Sequence, residues 1–271
     1  FTELKILTVI DQIYYNVQMT YVDLKAQFNE LGYAILDLEL GDIPDKVNKQ
    51  IDQKIAEQNF KKNPDFYHYN ESPRIVEAWK DIDEVKQLSQ NPIVINFLKD
   101  LYGRDPLPFS TINFIYSTEQ PLHSDYIHFG SIPELFLTGV WIALEDIHPD
   151  SGPLTIVPKS HNLEVVDLDI LGVDVPKNNK QLKENYTIYE SYIENLVEES
   201  GLERVPVHLK KGQCLIWHAN LLHGGSPLKN PKLTRRSLVT HYHYSDCENY
   251  NPSFSSKKNN IIAERKIEVI N

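Results

Sequence analysis

Residues 210–244 read KKGQCLIWHANLLHGGSPLKNPKLTRRSLVTHYHY. The runs CLIWH and RRSLVTHYHY are rich in β-branched and aromatic residues, and Gly, Pro and Asn punctuate the stretch between them, which is the pattern of strands joined by a loop. The same texture recurs upstream in FSTINFIYS (109–117), LTGVWIAL (137–144), GPLTIVP (152–158) and VPVHL (205–209). Strands that follow one another without intervening helices point to a jelly roll, in which one sheet wraps over another. The β core is therefore expected over 106–244. Within it, 162–206 is an irregular insertion with one helix, YTIYESYIENLVEESG (186–201), in which Tyr189, Ile193 and Leu196 repeat at helical spacing. Long insertions on β scaffolds often act as lids, and this one is expected to cover an active site, with its polar part DVPKNNKQLKEN (174–185) mobile in the absence of ligand.

Residues 1–105 read as mainly helical. YVDLKAQFNELGYAILDLEL (21–40) is a helix ended by Gly32 and followed by a strand, and DIPDKVNKQIDQKIAEQNF (42–60) is an amphipathic helix. PRIVEAWKDIDEVKQLS (73–89) is read as helical with a Val76, Trp79, Ile82 and Val85 stripe, broken at Asn91-Pro92 before the helix of NPIVINFLKDLYG (91–103). Residues 245–271 form a C-terminal tail. The whole is expected to be one domain, mainly β with N-terminal helices.

The net charge of −11, with basic residues gathered only in small clusters such as KNPKLTRR (229–236), argues against a nucleic-acid partner. No run approaches a membrane span, so no membrane partner is expected. Two cysteines, Cys214 and Cys247, lie far apart and suit a reducing cytoplasm. The chain begins at Phe1 rather than Met, so a targeting signal upstream would not be visible in it. Oligomeric state is not legible in the sequence.

PLHSDYIHF (121–129) carries the chemistry. In an extended strand His123 and Asp125 project to one side, and a neutral nitrogen beside an anionic oxygen suits a divalent metal, although a simple His–Asp hydrogen bond uses the same pattern. A third ligand is available in His223, where the two following glycines are expected to leave room for a metal and a small molecule. Arg235 follows His223 by twelve residues and shares a strand face with Ser237, a pairing suited to gripping a carboxylate. His218, in an apolar run, and His161, at a turn, read as structural.

These blocks together resemble the phytanoyl-CoA dioxygenase family of iron(II)- and 2-oxoglutarate-dependent oxygenases. The resemblance runs over about 21–244 and rests on HSD, on GVWIALEDIHPDSGPLTIVPKSH (139–161), on 210–242, and on LKAQFNELGYAIL (24–36). It implies a double-stranded β-helix holding Fe(II) between His123, Asp125 and His223, with Arg235 on the distal carboxylate of 2-oxoglutarate and Ser237 assisting. It also implies cosubstrate contacts from Asn113 and Trp141, although Trp141 reads equally as a core aromatic. The interval from His223 to the arginine is one residue longer than in many relatives, which leaves Arg236 as an alternative; strand phase favours Arg235. Tyr126, His128 and His241 are candidate contacts for a small-molecule substrate.

The implied reaction uses dioxygen and 2-oxoglutarate to hydroxylate a C–H bond, releasing succinate and carbon dioxide. Halogenating relatives carry a small residue in place of the aspartate, so Asp125 implies hydroxylation. A small metabolite other than an acyl-CoA is the expected substrate, because an acidic chain has few cations to receive CoA. The competing readings are a cupin-type dioxygenase or isomerase that does not use 2-oxoglutarate, a zinc hydrolase, and a catalytically silent jelly-roll binding protein.

Overall fold

In the N-terminal part, helix α1 (Tyr21–Leu31) turns Leu24 and Phe28 inward and stops at Gly32, whose φ of +84° is a conformation that favours glycine. The computed structural model describes residues 21–57 and 74–271. The chain then enters strand β1 (Tyr33–Asp37), followed by helix α2 (Ile43–Glu57), which buries Val47 and Ile51. Strand β2 (Arg74–Val76) and a 3₁₀ turn at Ala78–Lys80 precede helix α3 (Asp83–Ser89) and helix α4 (Pro92–Tyr102). The start of α4 follows the sequence signal closely. Asn91 accepts hydrogen bonds from the N–H groups of Ile93 and Val94, Pro92 opens the first turn, and Gly103 caps the end at φ +65°.

The stretch 74–76 corrects the helical expectation for 73–89. Ile75 is buried between half-buried Arg74 and Val76, a period of two, and the segment adds to the edge of strand β3 (Pro106–Phe114) with Ile75 opposite Asn113. The apolar spacing that suggested one helix is divided between a strand, a 3₁₀ turn and α3.

Strand β5 (Thr138–Ala143), strand β8 (Gln213–His218) and strand β10 (Ser237–Tyr244) complete a six-stranded antiparallel sheet in the order β1-β8-β5-β10-β3-β2. Alternation divides its residues cleanly. Val140, Ile142, Cys214, Ile216, Leu238 and Tyr242 meet the helices, while Trp141, Ala143, Leu215, Trp217 and Val239 meet a second sheet. That sheet is strand β7 (Val205–Val207), strand β6 (Leu154–Ile156) and strand β9 (His223–Gly225), in the order β7-β6-β9. The architecture is the expected jelly roll, with a helical layer on its outer face.

The insertion holds a short helix α5 (Leu168–Leu171) and helix α6 (Asn179–Ser200). The sequence placed 174–185 in a loop, yet 179–185 already belongs to α6. Asn178 caps it by accepting from the Gln181 N–H, and the following Lys, Gln, Leu and Glu are good helix formers. Tyr186, Tyr189, Ile193 and Val197 pack against Leu122, Ile127, Val157 and Leu222, so α6 braces the segments on either side of the site.

The C-terminal residues are built into the fold. Strand β4 (Gly130–Ile132) pairs with strand β11 (Glu248–Tyr250), Ala263 and Arg265 bond alongside β11, and Ile270 is buried with its N–H on the Pro108 carbonyl.

Phe97 on α4 is completely buried between helices and sheet. Phe97→Ala is expected to lower unfolding free energy by about 3–5 kcal/mol through lost burial and a residual cavity, with an unchanged slope in urea titration.

Candidate active site

His123 and His223 come from distant parts of the chain and meet as an isolated antiparallel bridge. Each N–H donates to the other's carbonyl at 2.9 Å, which turns both imidazoles to one side with ring centroids 4.5 Å apart. The Nδ1 atom of His123 lies 2.9 Å from the Pro121 carbonyl and that of His223 lies 3.0 Å from the Leu221 carbonyl. A carbonyl only accepts, so both Nδ1 atoms carry the proton and both Nε2 atoms present a lone pair.

Asp125 is placed differently from expectation. Ser124 is extended, at φ −102° and ψ 147°, which keeps Asp125 on the side of His123, but the chain then turns into a 3₁₀ segment at Asp125–Ile127 instead of continuing as a strand. The Asp125 Oδ2 atom accepts from Trp217 Nε1 at 2.7 Å and lies 3.3 Å from His241 Nε2, while Oδ1 lies 3.7 Å from His223 Nε2. One carboxylate oxygen is thus occupied by the protein, and the other stands with the two imidazoles. One ligand atom from each of His123, Asp125 and His223 lies within 4.8 Å of the others. Two neutral nitrogens and one anionic oxygen of this spacing fit a divalent first-row metal held on one face.

Electrostatics agree with that donor set. Burial, followed by the influence of His223, pushes the His123 imidazole down to about 3, so it is neutral at physiological pH. Burial alone would raise Asp125, but the neighbouring imidazoles, His241 first, hold it well below the usual carboxylate range and keep it anionic.

The glycines after His223 serve a purpose other than the expected one. A Cβ on Gly224 would meet the Gln120 carbonyl at 2.7 Å, and one on Gly225 would meet the Glu119 Cα at 2.8 Å. The space a side chain would need there is filled by the chain leading into His123, so the glycines permit the bridge.

Strand phase separates the two arginines. Arg236 turns outward to an ion pair with Asp52 at 2.9 Å. Arg235 is 3% exposed, and among the described residues no carboxylate pairs with it. Its guanidinium donates to the Gly152 carbonyl at 3.4 Å and lies 5.9 Å from the Trp141 ring. Burial, with Arg74 nearby, brings it down to about 10, which leaves it charged at neutral pH. Ser237 and Trp141 share this inner face; the Ser237 hydroxyl donates to the Arg235 carbonyl at 3.4 Å, and Trp141 both fills the core and walls the arginine.

Other expected contacts fall elsewhere. Asn113 lies opposite Leu238 on the helical side of the sheet, turned away from Arg235, so its placement gives no support to a cosubstrate contact. The inner face of β3 belongs instead to Ser110, Ile112 and Phe114. Tyr126 is completely buried, and its hydroxyl lies 2.7 Å from that of Tyr250 and accepts from Lys257 at 3.1 Å. Its hydroxyl is taken up in anchoring the C-terminal segment. His128 does lie at the site: its ring is 6.4 Å from that of His123, and its Nε2 is 3.2 Å from the Tyr186 hydroxyl. His241 touches Asp125 directly. His218 accepts from the Asn220 N–H and packs near His161, and His161 itself lies 3.2 Å from the Asn29 carbonyl, as expected of structural histidines.

Three functional side chains carried no clear signal. Trp217 looked like any core aromatic in CLIWH; only Gly139 opposite it, where a Cβ would come within 2.2 Å of the indole, marks a close approach. Tyr189 looked like helix core, yet its hydroxyl accepts from the Ser124 N–H at 2.8 Å. Gln120 places its amide nitrogen 3.3 Å from His123 Nε2.

The fold is thus a jelly roll carrying a buried His-Asp-His face and an inward arginine. The model of the phytanoyl-CoA dioxygenase (PhyH) family matches residues 42–237, and the chain belongs to that family. It is 23% identical over 212 residues to rat peroxisomal phytanoyl-CoA dioxygenase, covering 78% of this chain and 55% of that protein. A probable phytanoyl-CoA dioxygenase from Caenorhabditis elegans is 23% identical, covering 78% and 61%. The chain therefore spans little more than half the length of these curated relatives. Among solved structures, EctD from S. alaskensis with 2-oxoglutarate and 5-hydroxyectoine superimposes with a TM-score of 0.67 at 18% identity, covering 94% of this chain and 86% of that one. The α-ketoglutarate-dependent epimerase SnoN superimposes with a TM-score of 0.66 at 16% identity, covering 93% and 98%. These likenesses establish the fold. No helix among the described residues is long and apolar enough to cross a membrane.

Gly139→Ala is expected to push the Trp217 indole off Asp125 and weaken divalent-metal affinity by at least about tenfold, the size typical of losing a partner that orients a ligand. Calorimetric titration of Mn(II) checks this, with Trp217→Phe giving a loss of similar size.

Proposed function

We propose that this protein is a non-haem Fe(II)- and 2-oxoglutarate-dependent dioxygenase that hydroxylates a C–H bond of a small metabolite. The observation that carries the reading is the convergence of His123 Nε2, His223 Nε2 and Asp125 Oδ1, with the remaining polar atom of each side chain engaged by the protein. A metal held by three protein ligands on one face keeps open positions for cosubstrate and dioxygen. Iron bound there would supply oxygen activation coupled to decarboxylation of 2-oxoglutarate to succinate and carbon dioxide.

The protein's own contribution is placement and exclusion of water. Arg235 is a buried cation with no carboxylate partner among the described residues, so an entering dicarboxylate gains a charge-assisted pair that water cannot screen. Trp141 and Phe114 flank the guanidinium. The Nδ1 bonds hold the His123 and His223 rings in place, and Trp217 occupies one Asp125 oxygen, which would leave the other for the metal. The fold alone does not select the outcome, since SnoN, an epimerase, shares it. Retention of Asp125 supports hydroxylation over halogenation.

Asp125→Ala is expected to abolish 2-oxoglutarate-dependent succinate release, because the metal loses its anionic ligand. Full activity of that variant would remove the assignment. Arg235→Ala is expected to weaken 2-oxoglutarate binding by about 2–4 kcal/mol, with Arg236→Ala far less affected because its partner Asp52 lies on the outer surface. Calorimetry on the two variants checks the order. Substrate-dependent product without succinate would instead favour a metal dioxygenase or isomerase that uses no 2-oxoglutarate.

A further inference from the structure

The C-terminal segment brings a third guanidinium to the site. The Arg265 N–H donates to the Asn249 carbonyl at 2.8 Å, fixing the residue beside β11, and its guanidinium lies 4.6 Å over the Phe129 ring. The Nη2 atom donates to the His128 carbonyl at 3.2 Å, while Nε is buried with no partner. No carboxylate among the described residues forms an ion pair with Arg265. Phe129 stands between this cation and the metal face: its ring is 4.8 Å from that of His241, whose Nε2 touches Asp125. Across the site Arg74 donates to the Gln120 side chain at 3.2 Å and lies over Phe114. The fields of both Arg265 and Arg74 reach His128, which burial and these charges hold neutral down to about 4.

Against a net charge of −11, Arg235 and Arg265 stand out as cations at the site with no ion pair among the described residues. Arg235 is accounted for by 2-oxoglutarate. Arg265, set over an aromatic ring with its buried Nε donor unused, offers a charged donor suited to one carboxylate. We propose that the metabolite oxidised here bears a carboxylate, which pairs with Arg265 above Phe129 while its reacting carbon lies toward His123, Asp125 and His223. This rests on the oxygenase reading above.

The test uses the iron-loaded full chain and a deproteinised metabolite extract of the source organism, split by anion exchange into retained and unretained fractions. Substrate-triggered succinate release is expected from the retained fraction, to persist after phosphatase treatment, and to disappear after methyl esterification. It should fall by at least about tenfold in Arg265→Gln and recover in part in Arg265→Lys, as expected for loss of a hydrogen-bonded charge. Far-ultraviolet circular dichroism and the thermal midpoint confirm that the variants fold. A trigger in the unretained fraction, sensitivity to phosphatase, or undiminished release in Arg265→Gln would overturn the inference. Absence of any trigger, with 2-oxoglutarate still binding to the iron-loaded protein, also counts against it. Failure of 2-oxoglutarate to bind at all would instead remove the oxygenase reading.

Discussion

The reciprocal pair of backbone hydrogen bonds between His123 and His223 is the constraint on which the site depends. It fixes two histidines from distant parts of the chain at one spacing and turns both to one side. Their Nδ1 protons then bond to carbonyls two residues earlier, so neither ring can rotate without losing a hydrogen bond. Close approach of the two segments explains the glycines at 224 and 225, where a Cβ would strike the chain running into His123. A metal site assembled from backbone pairing in this way is already organised before a metal arrives.

Asp125 is held by three other elements. Trp217 reaches it from β8, His241 from β10, and Tyr189 on α6 fixes the preceding Ser124 N–H. The helical insertion therefore supports the metal face from behind, and Tyr186 carries that support to His128 at the rim. Each of these hydroxyl, indole and imidazole groups is buried, so losing one strands a polar partner where water cannot compensate. The C-terminal segment adds a further wall through Phe129, Arg265 and the Tyr126–Tyr250 contact.

Much of this was legible in the sequence. Helix ends at Gly32, Asn91-Pro92 and Gly103 follow from local backbone preferences, and the alternation in LTGVWIAL and RRSLVTHY separates Trp141 and Arg235 from their neighbours. The three metal-face residues stood out because imidazole and carboxylate are rare among aromatic strands. What escaped detection depends on long-range contacts. Asn113 falls on the helical side because β3 pairs with Leu238 at that register, and no local pattern carries that information. Tyr126 was drawn away by Tyr250, far along the chain. Residues 74–76 became a strand because the edge of β3 offered hydrogen-bonding partners, overriding a helical spacing.

The family, the donor set and the inward arginine converge on one claim, that His123, Asp125 and His223 bind a single iron to which 2-oxoglutarate then attaches. Anaerobic titration of the protein with Fe(II), followed by 2-oxoglutarate, tests it directly through the visible charge-transfer absorption of a 2-oxo acid chelated to iron. The account predicts one iron per chain and an absorption that requires both additions and is lost in His223→Ala. Chelate absorption retained in that variant, or 2-oxoglutarate binding with equal affinity in the absence of metal, would contradict it.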